Sequence, residues 1–410
     1  MERTDVLVIG GGQAGIAAGW HLRERRIPHL ILERGRVAER WRSERWDSLV
    51  ANGPAWHDRF PVRTFNSDQD GFPTAAEVAD YFERLATDMP VRTGVEVTRL
   101  RRDSKFRAET LQGPIQADAV IVATGPFQRP VMPDHDIDGV RQLHSSSYKS
   151  PDQLPDGAVL VVGSGSSGAQ IADELLRSGR RTFLSVGPHN RPPRRYRGID
   201  YCWWLGVLGK WDATEHEPGR EHVTIAVSGA RGGATVDFRE MAQRGMTLLG
   251  RAEGHAEGAM RFAPDLAENI ARGDADLMSV LDEADAYADR MGLELPVDLD
   301  ARMVLRDPAC LTDPITELDL RAEGIAAIVW AIGYRPNYDW MEVGEIDGRG
   351  HPVHQRGASP EPDLYYLGLP WQSRRGSSFI WGVWHDAAYV TEQIAIRRAY
   401  AEHLGDKVHA

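Results

Sequence analysis

Four short runs of apolar residues stand out along the chain, each closed by glycine. They are Val6-Leu7-Val8-Ile9 before Gly10, Val120-Ile121-Val122-Ala123 before Thr124-Gly125, Val159-Leu160-Val161-Val162 before Gly163, and Ile328-Val329-Trp330-Ala331-Ile332 before Gly333. A run of this length without a polar interruption is the pattern of a strand buried on both faces of a parallel sheet. Helical stretches over 14–25 and 166–177 follow the first and third runs, so each reads as a βαβ unit. Residues 75–88 place Val78, Tyr81, Phe82 and Leu85 on one helical face. Residues 95–100 and 106–110 alternate around Asp103-Ser104-Lys105 and predict two antiparallel strands. The stretch 263–291 is rich in Ala, Asp and Glu at helical spacing, a helix with a solvated face. The cluster Arg191-Pro192-Pro193-Arg194-Arg195 reads as a loop.

Composition narrows the function. A chain of 410 residues is too long for one comfortable core, so more than one lobe is expected. With 48 basic and 60 acidic residues the net charge is −12, which argues against binding nucleic acid or an anionic membrane. No stretch approaches the roughly 20 apolar residues of a membrane span. Met1-Glu2-Arg3-Thr4-Asp5 runs straight into a strand-like segment, and a cytoplasmic location is expected. The two cysteines, Cys202 and Cys310, form no CxxC, so neither a structural zinc site nor a close redox dithiol is expected, and no other metal site is. No HExxH, GxSxG or carboxylate constellation points to hydrolysis.

The first glycine-rich turn is Gly10-Gly11-Gly12-Gln13-Ala14-Gly15, between a strand and a helix. Glycines there allow a tight turn and close approach of backbone N–H groups to a pyrophosphate, and the helix N-terminus favours the same anion. The next strand, 29–32, ends in Glu33, eighteen residues after Gly15, where a carboxylate can accept from a ribose diol. The second turn, Gly163-Ser164-Gly165-Ser166-Ser167-Gly168, has the same context, but its partner strand ends in Ser185. Arg191, Arg194, Arg195 and Arg197 follow. Arginine binds a phosphate through two parallel hydrogen bonds, whereas a carboxylate repels it. The first site therefore reads as one for FAD and the second as one for NADPH. The fold class expected is α/β with two Rossmann-like dinucleotide-binding domains: an FAD domain over 1–150, an NADPH domain with a helical elaboration over 151–324, and a return to the FAD domain over 325–410. Two such sites in one chain imply hydride transfer from nicotinamide to flavin.

These motifs resemble the flavin-containing monooxygenases, including the plant auxin-forming branch and bacterial flavoprotein relatives. Besides both turns, the resemblance rests on Ala123-Thr124-Gly125, on Trp330-Ala331-Ile332-Gly333-Tyr334-Arg335-Pro336, which is similar to the family's ATGY element, and on Leu364-Tyr365-Tyr366-Leu367-Gly368-Leu369-Pro370. The family fingerprint FxGxxxHxxx followed by Tyr or Trp is met by Ile137-Asp138-Gly139, His144 and Tyr148, with Ile for Phe and one extra residue before the histidine. Where relatives show Gly-Gly-x-Trp this chain has Ala38-Glu39-Arg40-Trp41, followed by Arg42. The resemblance implies that NADPH reduces FAD, that O₂ adds to the reduced flavin at C4a, and that the hydroperoxide oxygenates a small N- or S-containing substrate. Tyr148 in place of Trp speaks for heteroatom oxygenation over Baeyer–Villiger chemistry on ketones. A quinone or acceptor reductase without oxygen insertion is the rival, and an idle redox sensor with a protein partner a more distant one. A homodimer stays open. The catalytic residues it implies are Asn52, His144 and Tyr148. For the cofactors it implies Gly10, Gly12, Gln13, Ala14, Gly15, Glu33, Arg34, Trp41, Arg42, Thr124, Gly125, Ser378 and Phe379 around FAD. Gly163, Ser164, Gly165, Ser166, Ser167, Gly168, Ser185, Arg191 and Arg194 are expected around NADPH. Trp203 and Trp204 are expected in the core, and Trp371, Trp381 and Trp384 near the flavin ring.

Overall fold

The computed structural model describes residues 1–134, 136–214 and 225–408. Its first sheet has seven strands. Glu2–Ile9 lies at the centre, parallel to His29–Glu33 on one side and to Ile115–Val122 on the other. Val91–Thr93 extends the sheet beyond His29–Glu33, and Leu364–Tyr366 returns to pair in parallel with Val120–Val122. Val97–Arg102 and Phe106–Thr110 form the expected antiparallel pair against Ile115–Val122.

Alternation with both faces covered explains the unbroken apolar runs. Val6 and Val8 point into a core shared with Ile16, Val78, Tyr81, Phe82 and Val383, while Leu7 and Ile9 point into another with Phe106, Tyr338 and Leu364. Helices Gln13–Glu24, Ala75–Ala86 and Ile380–Val408 contribute to the first of these cores. Ala75–Ala86 starts where Thr74 and Glu77 cap one another: Thr74 Oγ1 accepts from Glu77 N–H at 3.2 Å and Glu77 Oε2 accepts from Thr74 N–H at 2.8 Å.

The second sheet has five parallel strands in the order Thr247–Leu249, Thr182–Ser185, Ala158–Val162, Ile325–Trp330 and Arg141–His144. Two of these strands differ from the sequence reading. Arg141–His144 and Ile325–Trp330 fall within the stretches assigned to the first lobe, yet both pair in the second sheet. Neither strand carries a local signal for one sheet over the other, and only pairing distant in sequence decides between them. Helix Ser166–Arg177 lies on one face, with Val159 and Val161 beneath it in a shared core. A three-stranded antiparallel sheet of Ala252–Ala256, Ala259–Phe262 and Glu317–Asp319 and the long helix Leu266–Met291 complete this lobe. That helix stops at Gly292 in the left-handed conformation, φ 63°. Among the described residues no helix is long and apolar enough to cross a membrane.

Candidate functional site

In-register pairing brings the strand tips of each sheet level. Ile9 stands beside Leu32 and Val122, so Gly10, Glu33 and Ala123 share one edge. Val162 stands beside Ser185 and Trp330, and Ser185 beside Leu249. A cleft of about 810 Å³ opens over both edges and is lined by both glycine-rich turns. Ligands of open α/β sheets bind at such carboxyl edges.

The two turns are built alike. A Cβ at Gly15 would lie 1.8 Å from the carbonyl oxygen of Gly10, and one at Gly168 the same distance from that of Gly163. Both positions therefore require glycine for helix and strand to meet. Gly12 faces open space instead, so a side chain there would occupy room beside the helix start. Gly12 and Gly165 are the N-cap residues of Gln13–Glu24 and Ser166–Arg177, and neither helix has a side-chain cap. Uncapped N–H groups opening on a cleft suit a pyrophosphate, so these residues fit a dinucleotide at each turn.

Glu33 Oε2 accepts from Gly11 N–H at 2.7 Å and Oε1 from Gly35 N–H at 2.8 Å, which fixes the carboxylate at the cleft edge. Gln13 Nε2 donates to the carbonyl of Ser378 at 2.8 Å, tying the first turn to the returning C-terminal segment. Gly10, Gly12, Ala14, Arg34, Trp41, Thr124, Gly125, Ser378 and Phe379 also line the cleft. Arg42 does not: its guanidinium reaches Glu83 at 2.8 Å and Asp80 at 3.3 Å. In the second lobe Gly163, Ser164, Gly165, Ser166, Ser167 and Ser185 line it. Ser185 Oγ is committed to backbone, donating to Gly250 O at 2.9 Å and accepting from Ala252 N–H at 3.1 Å.

The structure does not bring Arg191 and Arg194 to the cleft. Arg191 is buried between Asp237 and Asp274, each at 2.8 Å. Arg194 is buried against Asp200 and Cys202, lies over the Phe72 ring at 5.0 Å and donates to the carbonyl of Asn52. Arg191 and Arg194 turn inward because Asp200, Asp237 and Asp274 await their guanidinium groups, whereas Arg195 stays exposed. The cation at this edge is Arg251, directly past Thr247–Leu249. Its side chain is 61% exposed and its Nε is 3.6 Å from Asp265. Sequence reading missed it because a three-residue strand leaves little periodic signal.

His144 and Tyr148 lie behind the wall. His144 Nε2 donates to Gly333 O at 3.0 Å and Nδ1 accepts from Ser146 N–H at 3.1 Å, while burial lowers its pKa. Tyr148 is fully buried and donates to Glu174 Oε2 at 2.7 Å; burial first, and then that carboxylate, push its pKa up. Ser145, between them in sequence, reaches the cleft. Asn52 lines it too, its Oδ1 accepting at 2.8 Å from Gln170 Nε2, a second residue that sequence reading missed. Trp371 lines the cleft, whereas Trp384 packs in the core, its ring centroid 4.3 Å from that of His21. Trp203 and Trp204 pack with Tyr287 in the second lobe, as expected of core residues. Neither Cys202 nor Cys310 lines the cleft; both are free. Among the described residues no cluster could hold a metal ion.

Comparison with known proteins agrees with this arrangement. Residues 7–195 match the family model described as pyridine nucleotide-disulphide oxidoreductase. The chain is similar to a CzcO-like oxidoreductase of Geobacillus kaustophilus, 32% identical over 402 residues that cover 95% of this chain and 98% of the relative. It is also similar to the indole-3-pyruvate monooxygenase YUCCA1 of Oryza sativa, 30% identical over 192 residues, 44% of this chain and 47% of that one. Its fold matches a flavin-containing monooxygenase from Stenotrophomonas maltophilia with a TM-score of 0.62 and 22% identity, over 97% of this chain and 99% of the other. With two nucleotide turns facing one cleft, and with identity sustained along nearly the whole chain, this protein belongs to the family of the CzcO-like oxidoreductases and has the fold of the flavin-containing monooxygenases.

Proposed function

We propose that this chain is an NADPH-dependent monooxygenase that places one oxygen atom from O₂ on a nitrogen or sulfur of a small organic substrate. The observation that carries the reading is the single cleft over both nucleotide turns, with Glu33 at one strand edge, Arg251 at the other, and no cysteine pair in between. FAD, when bound, supplies the hydride acceptor and the centre that activates oxygen. The protein's own work is binding and shielding. Backbone N–H groups at Gly12–Ala14 hold the flavin pyrophosphate, and Glu33 accepts from the adjoining ribose. The turn Gly163–Ser167 holds NADPH, and Arg251, the exposed cation at that edge, takes its 2′-phosphate. Asn52, fixed by Gln170, offers an uncharged amide beside the reacting centre. Trp41, Trp46, Phe127 and Phe379 give the cleft an apolar wall that keeps water from the reaction.

The test is isotopic. Purified yellow protein is given NADPH, ¹⁸O₂ and a panel of thioethers and tertiary amines. Label in the sulfoxide or N-oxide is the expected result. NADPH consumption that yields only peroxide, or a reduced quinone when quinone is offered, would make the protein a reductase. Label in a lactone from a cyclic ketone, with none in the heteroatom products, would move it to ketone oxygenation.

A further inference from the structure

A second arginine in the cleft is unaccounted for by either nucleotide. Arg374 and Arg375 open the short turn that ends at Phe379, yet their fates differ. Arg374 leaves the cleft and pairs with Asp212 at 2.6 Å. Arg375 lines the cleft beside Ser378 and Phe379. Its backbone N–H is held by Ala213 O at 2.8 Å, which anchors the residue to the second lobe. Its Nε is buried without a hydrogen-bond partner, and among the described residues no carboxylate forms an ion pair with it.

The groups facing it are accounted for. The Tyr201 hydroxyl lies close to its guanidinium. Asp276 contributes an electrostatic field, but its Oδ2 accepts from Arg191 N–H at 3.1 Å. Asp58, on the same cleft, is held by His57 Nδ1 at 2.8 Å and Gly53 N–H at 3.0 Å. The other cleft arginines stand elsewhere or are engaged: Arg40 with Glu44 at 2.8 Å, Arg45 with the Glu44 carbonyl at 3.0 Å. Beside Arg375 the cleft is walled by Phe379, whose ring is backed by further aromatic rings. Phe379 meets Trp211 edge-on at 5.1 Å between centroids, and Trp211 stacks on His57 at 5.3 Å.

A guanidinium that lines a cleft without an ion-pair partner has donors free for an anion, and its fork matches a carboxylate. We infer that Arg375 reads the substrate, and that the substrate is an organic carboxylate whose apolar body rests against Phe379. The inference takes its site from the monooxygenase reading and adds the charge of the molecule that enters.

Binding tests it without turnover. The FAD-loaded enzyme is titrated with para-(methylthio)benzoate and with the neutral para-(methylthio)benzamide, following flavin absorbance and tryptophan fluorescence. A charge-assisted pair predicts that the carboxylate binds at least about tenfold more tightly than the amide. Arg375→Gln should erase that preference while amide affinity and FAD content hold, and Arg375→Lys should keep part of it. Equal binding of the two probes by the wild type, or a preference that survives Arg375→Gln, overturns the inference. So does loss of FAD from the Gln variant with the preference intact, which would assign Arg375 to the cofactor. If the preference is present but neither probe acquires oxygen, the monooxygenase reading fails and the anion site stands.

Discussion

The two nucleotide edges repeat one plan and diverge at the strand tip. In the first lobe the tip residue itself faces the cleft: Glu33 is held by two backbone N–H groups and keeps acceptor capacity for a sugar. In the second lobe the tip residue, Ser185, has turned to the backbone, and the charged group comes from the neighbouring strand as Arg251. The difference teaches that a strand tip's chemistry need not come from the strand that follows the glycine-rich turn. Level register across the sheet puts the ends of adjacent parallel strands at the same edge, and any of them can supply the reader.

The largest expected effect tests the shared plan. Gly15→Ala and Gly168→Ala each place a methyl 1.8 Å from a carbonyl oxygen that cannot retreat. Gly15→Ala should yield colourless or insoluble protein, and Gly168→Ala should abolish reduction by NADPH in any fraction that folds. Gly12→Ala is the contrast, since its methyl would meet no protein atom. That variant should keep its thermal melt within a few degrees while FAD affinity falls by at least about tenfold, a loss of roughly 1.4 kcal/mol. Unchanged FAD affinity would mean that the space beside Gly12 is not where the pyrophosphate lies.

Next in size is the divergence itself. Arg251→Ala should raise KM for NADPH by about 10- to 100-fold and leave NADH nearly unaffected, the range for losing one or two charge-assisted hydrogen bonds. Arg191→Ala should do something else. It takes from Asp237 its cation while Asp274 keeps Arg239 at 2.7 Å, at a cost of about 1–3 kcal/mol of stability, and leaves the NADPH/NADH ratio of the surviving protein unchanged. If Arg191→Ala alters that ratio and Arg251→Ala does not, the loop is the reader after all. Glu33→Gln keeps size and removes charge, so FAD affinity should fall by about 10-fold or more, measured by equilibrium dialysis.

What could be read in advance follows from locality. The turns, their helices and the two tip residues are encoded within about 25 residues of one another, so period and spacing suffice. Asn52 was reached through resemblance, and the structure puts it on the cleft wall. Arg251 and Arg375 were not found, since each is placed by pairing or packing with segments far along the chain. Spacing kept His144 and Tyr148 in a family pattern, but spacing carries no information on which side of a wall a side chain lies. The burial of Arg191 and Arg194 shows the same limit from the other direction. A basic cluster looks solvated until the carboxylates of Asp200, Asp237 and Asp274 are brought to it by the fold. The helix over 263–291 was legible to within three residues at its start and to the residue at its end, because Gly292 is a local stop.

Acidity gives the last test. His21, on the helix that follows the first turn, packs against Trp384. Burial, assisted by Arg25, lowers its pKa from 6.5 to about 4. Above pH 6.5 folded and unfolded chains both carry it neutral, and its full contribution is present. As pH falls through 6.5 the unfolded chain takes up a proton that the folded chain refuses, so stability drains away until about pH 4, by roughly 2–3 kcal/mol in all. Burial also lowers the pKa values of His29, His354 and His385, and of His189 in the second lobe, so a comparison of variants is needed to isolate His21. His21→Leu keeps the apolar contact with Trp384 and removes the titration. Urea unfolding of wild type and His21→Leu, followed by release of FAD fluorescence, should give curves that converge near pH 7.5 and separate steadily down to pH 4.5, with the variant the more stable. Curves that stay parallel across that range would place the acid sensitivity of the first lobe in some other group.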